Sequence, residues 1–377
     1  MGDRVETLFI SCGETSGDQY AGSLIRSLRG AGFTGRIWGM IGPDSLSSGA
    51  EAAWSMDELR LMGISEVLTS VPRLLRLKKE ITERVLEENP VAVVVVDSPD
   101  FHLPLISGLR KNGYTGKIIY LCPPTVWAWR SSRTEKLRSF CNLCLPLFGF
   151  EHDYLLRHDV PSRWVGHPLK DQLDGFTPDE NLAKRLEGKQ VVGLLPGSRP
   201  KEIKRLLPPL IETGRILREK GFYPLVSLAP FLPEDTRSFV MEQAGDLDIF
   251  EGPGKHVLAL SSAAAGSSGT VAVESLLQGT FMVVLYKASF SSWLAYKLFV
   301  KTRWISTPNI MAEEEIFPEL LQKKAKTENI LSCLDRFFED GRYRERIEIL
   351  MEKVRKELGA KGAIKDWAES VMEVIGR

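Results

Sequence analysis

The chain has 377 residues, of which 43% are hydrophobic and 26% are charged, and this length and composition predict a soluble protein with two domains. Lysine plus arginine and aspartate plus glutamate each total 49 residues, so the formal net charge is zero, which argues against a dedicated nucleic-acid-binding protein. The longest apolar runs, such as residues 91–96, have the length of strands, so we expect no transmembrane helix.

Short apolar runs alternate with helical patterns through the first half of the chain. The predicted elements are a strand at 7–12, a helix at 18–29, a strand at 36–41, a helix at 72–88, strands at 91–97 and 117–121, a helix at 133–140, and strands at 143–147 and 162–166. This alternation is typical of a parallel sheet with helices on both faces.

The pattern restarts after a polar segment at residues 170–190, which has the composition of a linker with a short helix. Further strands are predicted at 191–195, 223–228, 263–266 and 281–286, and the last 50 residues are predicted to be mainly helical. We therefore predict two doubly wound halves with a cleft between them, and ligands in such sheets bind outside the carboxyl ends of the strands.

The first strand is followed by a glycine-rich loop at residues 13–18 that opens a helix. Its spacing matches neither the dinucleotide fingerprint nor a phosphate-binding P-loop. Such a loop suits an anionic or hydroxyl-rich ligand, but Ser16 or Asp18 acting as a helix cap explains it equally well.

The buried strand at 91–97 ends in Asp97, which is expected at the ligand-binding edge of the sheet. A carboxylate there can take a proton from a substrate hydroxyl. Asp100, three residues later, better fits the alternative role of a helix cap, so Asp97 is the candidate base.

Two tryptophans, Trp127 and Trp129, would share a face if their segment were extended, and Arg130 follows them directly. They predict an aromatic wall with a cationic clamp for an anionic, partly apolar substrate. The alternative, which the residues alone favour, is a core position for the tryptophans and a solvated face for the charges.

Two loops in the second half suit a diphosphate. Pro196-Gly197-Ser198-Arg199 lies between a strand and a helix N-terminus, and a serine- and glycine-rich loop at 267–270 opens another helix. Glu274, about one turn into that helix, could accept hydrogen bonds from ribose hydroxyls, although capping explains the second loop too. The presence of both loops in one half favours nucleotide binding.

Residues 56–79 and 286–304 are cationic segments rich in leucine and aromatic residues, which suit either an anionic membrane surface or an ordinary core face.

The five cysteines do not form a disulfide framework, and we interpret Cys141 and Cys144 as packing thiols. The histidines lack the spacing of a metal pair, so we predict no metal site. The first residues do not match a signal peptide, which indicates the cytoplasm.

Seven motifs occur in an order that resembles one family. They are GETSGD at 13–18, DSPDF at 97–101, VWAWR at 126–130, VGHPL at 165–169, LLPGSRPKEI at 194–203, SSGTVAVE at 267–274 and TPNIMAEEE at 307–315. Each motif alone is weak, but the ordered set is specific, and the chain resembles the lipid-A-disaccharide synthase family across nearly its whole length.

The resemblance implies a B-type glycosyltransferase fold, an α/β architecture in which two Rossmann-like domains face a central cleft. It implies an acceptor-side domain at 1–169 and a UDP-sugar-binding domain at 170–359, with a helix near 360–377 returning to the first. The implied reaction joins UDP-2,3-diacylglucosamine to 2,3-diacylglucosamine 1-phosphate, giving a β-1,6-linked disaccharide 1-phosphate and UDP. The resemblance further implies that the enzyme uses no cofactor and acts at the inner face of the cytoplasmic membrane. It is compatible with an oligomer.

The resemblance also assigns residues. Asp97 is the base that deprotonates the acceptor hydroxyl, and Glu274 holds the ribose. The other donor-binding residues are Gly197, Ser198, Arg199, Ser268, Gly269, Thr270 and Asn309, and the acceptor-side residues are Glu14, Ser16, Trp127 and Arg130.

This chain departs from the family pattern after Asn309. Glu313 and Glu314 stand where the family usually has glycine and arginine, which places an anion near the expected donor phosphates. Cys122 and Pro123 replace the usual valine and serine before the tryptophans, which bears on acceptor fit.

Two other functions share this architecture or its nucleotide. A UDP-N-acetylglucosamine 2-epimerase acts on a substrate without acyl chains and would not need the cationic apolar segments. A non-catalytic nucleotide-sugar-binding protein would not need Asp97 at the end of its strand.

Overall fold

The computed structural model describes residues 6–60, 67–230, 232–289 and 302–377. The chain forms two compact units, one of Met1–Asp171 together with Leu358–Arg377 and one of Gln172–Glu357. In the described ranges, no helix has both the length and the apolar character required to cross a membrane.

The first unit is built on a six-stranded parallel sheet of order β3-β2-β1-β4-β5-β6. Its strands are β1 Thr7–Cys12, β2 Arg36–Ile41, β3 Glu51–Ser55, β4 Ala92–Val96, β5 Lys117–Leu121 and β6 Leu143–Leu145. The register pairs Val96 with both Cys12 and Leu121, so β1, β4 and β5 end side by side. The loops that follow these three strands therefore lie at the same edge of the sheet.

Helices cover both faces of this sheet. They are α1 Thr15–Gly30, α2 Pro43–Ser47, α3 Asp57–Arg60, α4 Val67–Glu88, α5 Pro99–Lys111, α6 Arg133–Phe140, α7 Gly149–Leu156, α8 Leu169–Gln172 and, from the end of the chain, Ala363–Val374. Successive side chains of a strand point to opposite faces. Val94 accordingly packs in the same cluster as Leu24 of α1, and Val93 in the same cluster as Ile106 of α5.

The terminal helix Ala363–Val374 packs on α1. The rings of Tyr20 and Trp367 meet edge to face at 5.8 Å, and Trp367 is completely buried. Arg163 and Glu373 form an ion pair of 2.7 Å, and the Asp171 carboxylate accepts hydrogen bonds from backbone N–H groups at the start of the helix. The last residues of the chain thus complete the core of the first unit.

The second unit repeats the architecture with sheet order β12-β11-β10-β7-β8-β9, again parallel. Its strands are β7 Val191–Leu195, β8 Tyr223–Leu228, β9 Asp248–Glu251, β10 Ala263–Ser267, β11 Phe281–Tyr286 and β12 Glu319–Leu321. Its helices are α9 Glu180–Leu186, α10 Pro200–Glu219, α11 Glu234–Ala244, α12 Gly254–Ala259, α13 Thr270–Gln278, α14 Thr307–Ala312, α15 Thr327–Glu339 and α16 Gly341–Glu357. The helix Ala363–Val374 is therefore α17.

The predicted α/β class with two doubly wound parallel sheets is confirmed. The strand predicted at 162–166 is wrong, because only Ser162 makes a bridge, to Cys144, and the following backbone leaves the sheet. The edge strands β3, β9 and β12 were not predicted. β3 and β9 lie at sheet edges and are largely exposed or half-buried, so they lack the continuous apolar run of a central strand.

Candidate functional site

In the first unit, the loops after β1 and β4 touch. A Cβ atom at Gly13 would lie 2.5 Å from Ser98 Oγ, so the two loops are in close contact, and a larger residue at Gly13 would displace the Ser98 side chain. Asp97 directly precedes Ser98, and both residues have left-handed backbones, with φ of +51° and +44°. The structure therefore brings the glycine-rich loop and the candidate base to the same edge of the sheet.

Both the N–H and the carbonyl of Asp97 form hydrogen bonds within the first unit. Its N–H donates to the Leu121 carbonyl at 3.0 Å. Its carbonyl accepts a hydrogen bond from His102 Nδ1 at 2.7 Å and another from the Tyr120 hydroxyl at 2.8 Å. Left-handed conformations are unfavourable for residues with a Cβ atom and persist where the surroundings impose them.

His102 is a residue of this site that sequence reasoning missed. It lies in the first turn of α5, is completely buried, and its Nε2 is 2.8 Å from Ser11 Oγ of β1. Burial lowers the pKa of His102 to about 4, so the ring is neutral near pH 7. Because Nδ1 donates to a carbonyl, Nε2 is the acceptor and the Ser11 hydroxyl donates to it. The available signal was its place five residues after the candidate base.

The glycine-rich loop divides into two roles. Glu14 precedes α1 in an extended conformation and Ser16 lies in its first turn, and both are half-buried. Asp18 is buried and accepts hydrogen bonds from the backbone N–H groups of Gly42, Asp44 and Ser45 at 2.8–3.2 Å. Asp18 is therefore a helix cap, but for α2 rather than for the helix that contains it.

The segment with the two tryptophans forms a turn, so the rings do not share an extended wall. Trp127 Nε1 donates to Glu151 Oε1 at 3.0 Å and its ring meets Phe150 at 4.9 Å. Burial raises the pKa of the Glu151 carboxyl to about 7, an effect that the Trp127 hydrogen bond partly offsets. Both indoles are half-buried, but Trp127 packs on Phe150 while Trp129 packs on Arg130, so they do not form the wall expected from the sequence.

Arg130 is engaged by other side chains of the first unit. It contacts Asp100 Oδ1 at 2.8 Å and lies 4.2 Å from the centre of the Trp129 ring. Arg133 also pairs with Asp100. Arg130, the residue predicted as a clamp, thus shares one exposed carboxylate with Arg133.

In the second unit, the two loops predicted for a diphosphate meet. β7 and β10 are neighbours, and Gly197, with φ of +105°, approaches so closely that a Cβ atom there would lie 2.9 Å from Ser267 Oγ and would overlap Glu202 Oε2. Ser198 and Arg199 are exposed at the start of α10. Glu202, which sequence reasoning did not single out, lies directly beneath this loop.

The second loop leads into α13. Ser268 is half-buried, Gly269 has φ of +123°, and both Gly269 and Thr270 are exposed. Burial raises the pKa of Glu274, one turn into the helix, to about 7, and Lys255 opposes the shift. Burial likewise raises the pKa of Glu202 to about 7, opposed by Arg199. Two carboxyls that titrate near neutrality therefore border the same loops.

Asn309 is placed differently from the prediction that it lines the site. It is completely buried, its amide nitrogen donates to the Phe317 carbonyl and to Glu319, and its amide oxygen accepts from the N–H groups of Ile316 and Phe317. These bonds hold the turn after α14 together. Direct contact with a ligand would require them to break.

The two glutamates that depart from the family pattern have distinct environments. Glu313 ends α14 with φ of +55°, which accounts for the glycine that the family usually has there. Glu314 forms an ion pair of 2.6 Å with Arg346, so its charge is matched within the unit.

Parts of the two cationic apolar segments, residues 61–66 and 290–301, lie outside the described residues. In the described part of the first segment, α4 exposes Val71 at 41% and Leu75 at 54%, with Arg76 and Lys79 exposed on the same helix. The other side of α4 is buried through Leu77, Ile81 and Val85. The core-face interpretation therefore holds for one side of this helix only.

The chain matches the family described as lipid-A-disaccharide synthetase over residues 8–373. It is 36% identical over 353 residues to the lipid-A-disaccharide synthase of Pectobacterium carotovorum subsp. carotovorum (strain PC1), an alignment that covers 90% of this chain and 91% of that relative.

Two solved structures share the fold. A UDP-glucosyltransferase from Polygonum tinctorium has a TM-score of 0.64 at 12% identity, with 99% of this chain and 98% of that chain covered. A UDP-GlcNAc 2-epimerase from Neisseria meningitidis bound to UDP-GlcNAc has a TM-score of 0.63 at 12% identity, with 97% and 99% covered. The chain therefore has the fold of two Rossmann-like domains found in B-type glycosyltransferases and these epimerases.

Proposed function

Because the chain belongs to the lipid-A-disaccharide synthetase family, we propose that it joins UDP-2,3-diacylglucosamine to 2,3-diacylglucosamine 1-phosphate. The chain is thus a glycosyltransferase of lipid A biosynthesis, as its motifs predicted. The family match over residues 8–373 is the observation that carries the proposal. The likeness to epimerases concerns the fold alone and does not favour an epimerase reaction.

The proposed chemistry begins at Asp97. Its carboxylate accepts the proton of the acceptor hydroxyl while the hydroxyl oxygen attacks the anomeric carbon of the donor sugar. The bond from that carbon to the diphosphate oxygen breaks with inversion, and UDP leaves with the bonding electrons. The position of Asp97 at the carboxyl end of a central strand supports this role.

We assign the departing diphosphate to the two touching loops of the second unit. Backbone N–H groups at the N-termini of α10 and α13, and the Arg199 guanidinium, would stabilise the charge that develops on UDP. Glu274 would hold the ribose. The polar groups available at these loops belong to Gly197, Ser198, Arg199, Ser268, Gly269 and Thr270. Asn309 would shape the neighbouring turn through its buried amide.

We assign the acceptor to the first unit, with Glu14, Ser16, Trp127 and Arg130 around it. Arg130 pairs with Asp100 through an exposed contact, and such a contact contributes little stability. An acceptor phosphate would therefore displace Asp100 from Arg130 at small cost. The support is that the glycine-rich loop containing Glu14 and the Asp97 loop lie at one edge of the sheet.

Acylated substrates require access to a lipid surface. The exposed Val71 and Leu75, with Arg76 and Lys79 on the same helix, suit peripheral contact with an anionic membrane. We propose that the protein acts at the inner face of the cytoplasmic membrane through this surface.

The test is a two-substrate assay. Purified protein would be incubated with both diacylated substrates, and the disaccharide 1-phosphate and UDP would be detected by mass spectrometry. We expect both products in equal amounts, and folded protein that forms no disaccharide would refute the proposed function.

Asp97→Asn is expected to lower kcat by roughly 10²- to 10⁴-fold, since it removes the base and keeps the size of the side chain. Asp153→Asn, an exposed carboxylate on α7, is the matched control and should retain wild-type activity. Comparable activity in the two variants would exclude Asp97 as the base.

A further inference from the structure

One backbone carbonyl, that of Asp97, connects three neighbouring strands of the first unit. His102 Nδ1 and the Tyr120 hydroxyl of β5 both donate to it, at 2.7 and 2.8 Å. Ser11 of β1 donates to the other ring nitrogen of His102 at 2.8 Å. Ser11, His102 and Tyr120 are all completely buried. The residue that receives this network is the one that we propose as the base.

We propose that His102 is a positioning residue for the reaction: with Tyr120, it fixes the left-handed backbone of Asp97, from which the catalytic carboxylate projects. The inference rests on the proposed function, because it presupposes that Asp97 is the base.

The conformation of Asp97 needs such a restraint. Asp97 and Ser98 are consecutive non-glycine residues with positive φ, and each is unfavourable on its own. A carbonyl oxygen has two lone pairs, and the two donors occupy both of them. The next residue, Ser98, is also restrained, because it lies against Gly13. The restraints therefore act on both residues of the strained pair.

The imidazole of His102 is suited to this task because its protonation state and tautomer are fixed. Burial lowers the pKa of His102 to about 4, which keeps the ring neutral across the range in which the enzyme would be assayed. The Asp97 carbonyl can only accept, so it selects the tautomer with the proton on Nδ1, and the Ser11 hydroxyl matches that tautomer by donating to Nε2. An apolar side chain would fill the same space but would leave the carbonyl with one donor.

Three substitutions of His102 distinguish the contributions of its two ring nitrogens. In His102→Asn, the amide nitrogen lies near the place of Nδ1 and keeps the donor to Asp97. In His102→Gln, the amide lies near Nε2 and keeps only the contact with Ser11. His102→Leu removes both. Steady-state kcat and KM would be measured for each variant with both diacylated substrates.

We expect kcat to fall roughly 10- to 100-fold in the Gln and Leu variants, while KM changes less than about threefold, because a displaced base affects the chemical step more than binding. His102→Asn should stay within about threefold of wild type. A packing role would instead make Asn, the smaller polar residue, at least as harmful as Leu.

Tyr120→Phe provides a second, nearly isosteric test that does not depend on the folding of the His102 variants. It removes one of the two donors to Asp97, and we expect kcat to fall about 3- to 10-fold with KM little changed. Circular dichroism and UDP binding, a property that we assign to the other unit, would show that each variant is folded.

The outcomes distinguish this inference from the proposed function. Wild-type kcat in folded His102→Leu or Tyr120→Phe would overturn the positioning role, even if Asp97→Asn were inactive. Equal losses in all three His102 variants would also overturn it. If the wild-type protein formed no disaccharide, or if Asp97→Asn were fully active, the proposed function itself would fail.

Discussion

Glu202 places a carboxyl directly beneath the loop to which we assign the donor diphosphate. Burial raises its pKa to about 7, so the group is neutral in acid and charged in base. A neutral carboxyl can lie under a bound anion without repulsion, whereas a carboxylate cannot. If the donor diphosphate binds at this loop as proposed, its affinity should depend on pH through Glu202.

We predict that UDP binds more tightly below pH 7 than above it. Between pH 6.5 and 8.5 wild-type affinity should fall about tenfold more than that of Glu202→Gln, because only the wild-type protein develops a charge under the loop. Isothermal titration calorimetry across this range measures the difference. Glu219→Gln, an exposed glutamate at the end of α10, should behave like wild type. The same pH dependence in wild type and Glu202→Gln would rule out the coupling.

Glu313 is a residue whose backbone suits glycine better than glutamate. A left-handed conformation costs a residue with a Cβ atom about 1–2 kcal/mol, and replacement by glycine removes this strain. Glycine also has greater freedom in the unfolded chain, which offsets about 0.5–1 kcal/mol of the gain in stability. We predict that Glu313→Gly stabilises the second unit by up to about 1 kcal/mol, measured by urea unfolding. Glu314→Gly, which loses the pair with Arg346 at ordinary φ, should be destabilising. A loss of stability in Glu313→Gly would contradict the strain argument.

At the scale of elements, short helices depend on caps supplied from elsewhere. α2 has five residues, too few to be stable alone, and its N-terminal N–H groups donate to the buried carboxylate of Asp18. The glycine-rich motif therefore serves two elements at once. Its first residues border the candidate site, and its last residue fixes the helix after β2.

We predict that Asp18→Ala destabilises the first unit by roughly 3 kcal/mol, because three backbone donors lose a charged acceptor. Asp44→Ala, in the first turn of α2 itself, should cost less than about 1 kcal/mol. Thermal unfolding monitored by circular dichroism compares the two. A similar loss of stability in both variants would indicate that the Asp18 carboxylate does not stabilise α2.

The elements also show how far the sequence predicts the structure. Central strands such as β4 have continuous apolar runs and were predicted within a residue or two, whereas the edge strands β3 and β9 have mixed burial and were not. The order of loops after strands was enough to select Asp97 and Gly197 as candidate site residues, and the structure places each at the carboxyl end of its sheet. The partners of these residues were not predictable, because His102 and Glu202 meet them through backbone conformations with positive φ, which a sequence pattern does not specify.

At the scale of the whole molecule, the two units have separate cores and separate assigned ligands. Trp367 is completely buried in the first unit, although it lies near the end of the chain. Stability changes in one unit should therefore be detectable apart from those in the other.

We predict that Trp367→Ala lowers the stability of the first unit by about 3–5 kcal/mol, because a large buried side chain is removed. UDP at 100 times its Kd should stabilise only the second unit, by about 2.7 kcal/mol. Differential scanning calorimetry would resolve the two effects, with Ile349→Ala, exposed on α16, as a neutral control. An effect of UDP on the transition that Trp367→Ala shifts would contradict the assignment of the nucleotide to the second unit.

The packing of α17 on α1 has a consequence for the order of events during synthesis. The ribosome makes α1 before residues 172–357 and α17 after them, so the face of α1 that packs on α17 has no partner helix while residues 172–357 are produced. The second unit has all its residues earlier and can fold while the nascent chain is still growing. A chain that stops short of Trp367 leaves an apolar surface on α1 uncovered. Exposed apolar surface of this kind makes incompletely folded chains prone to aggregation.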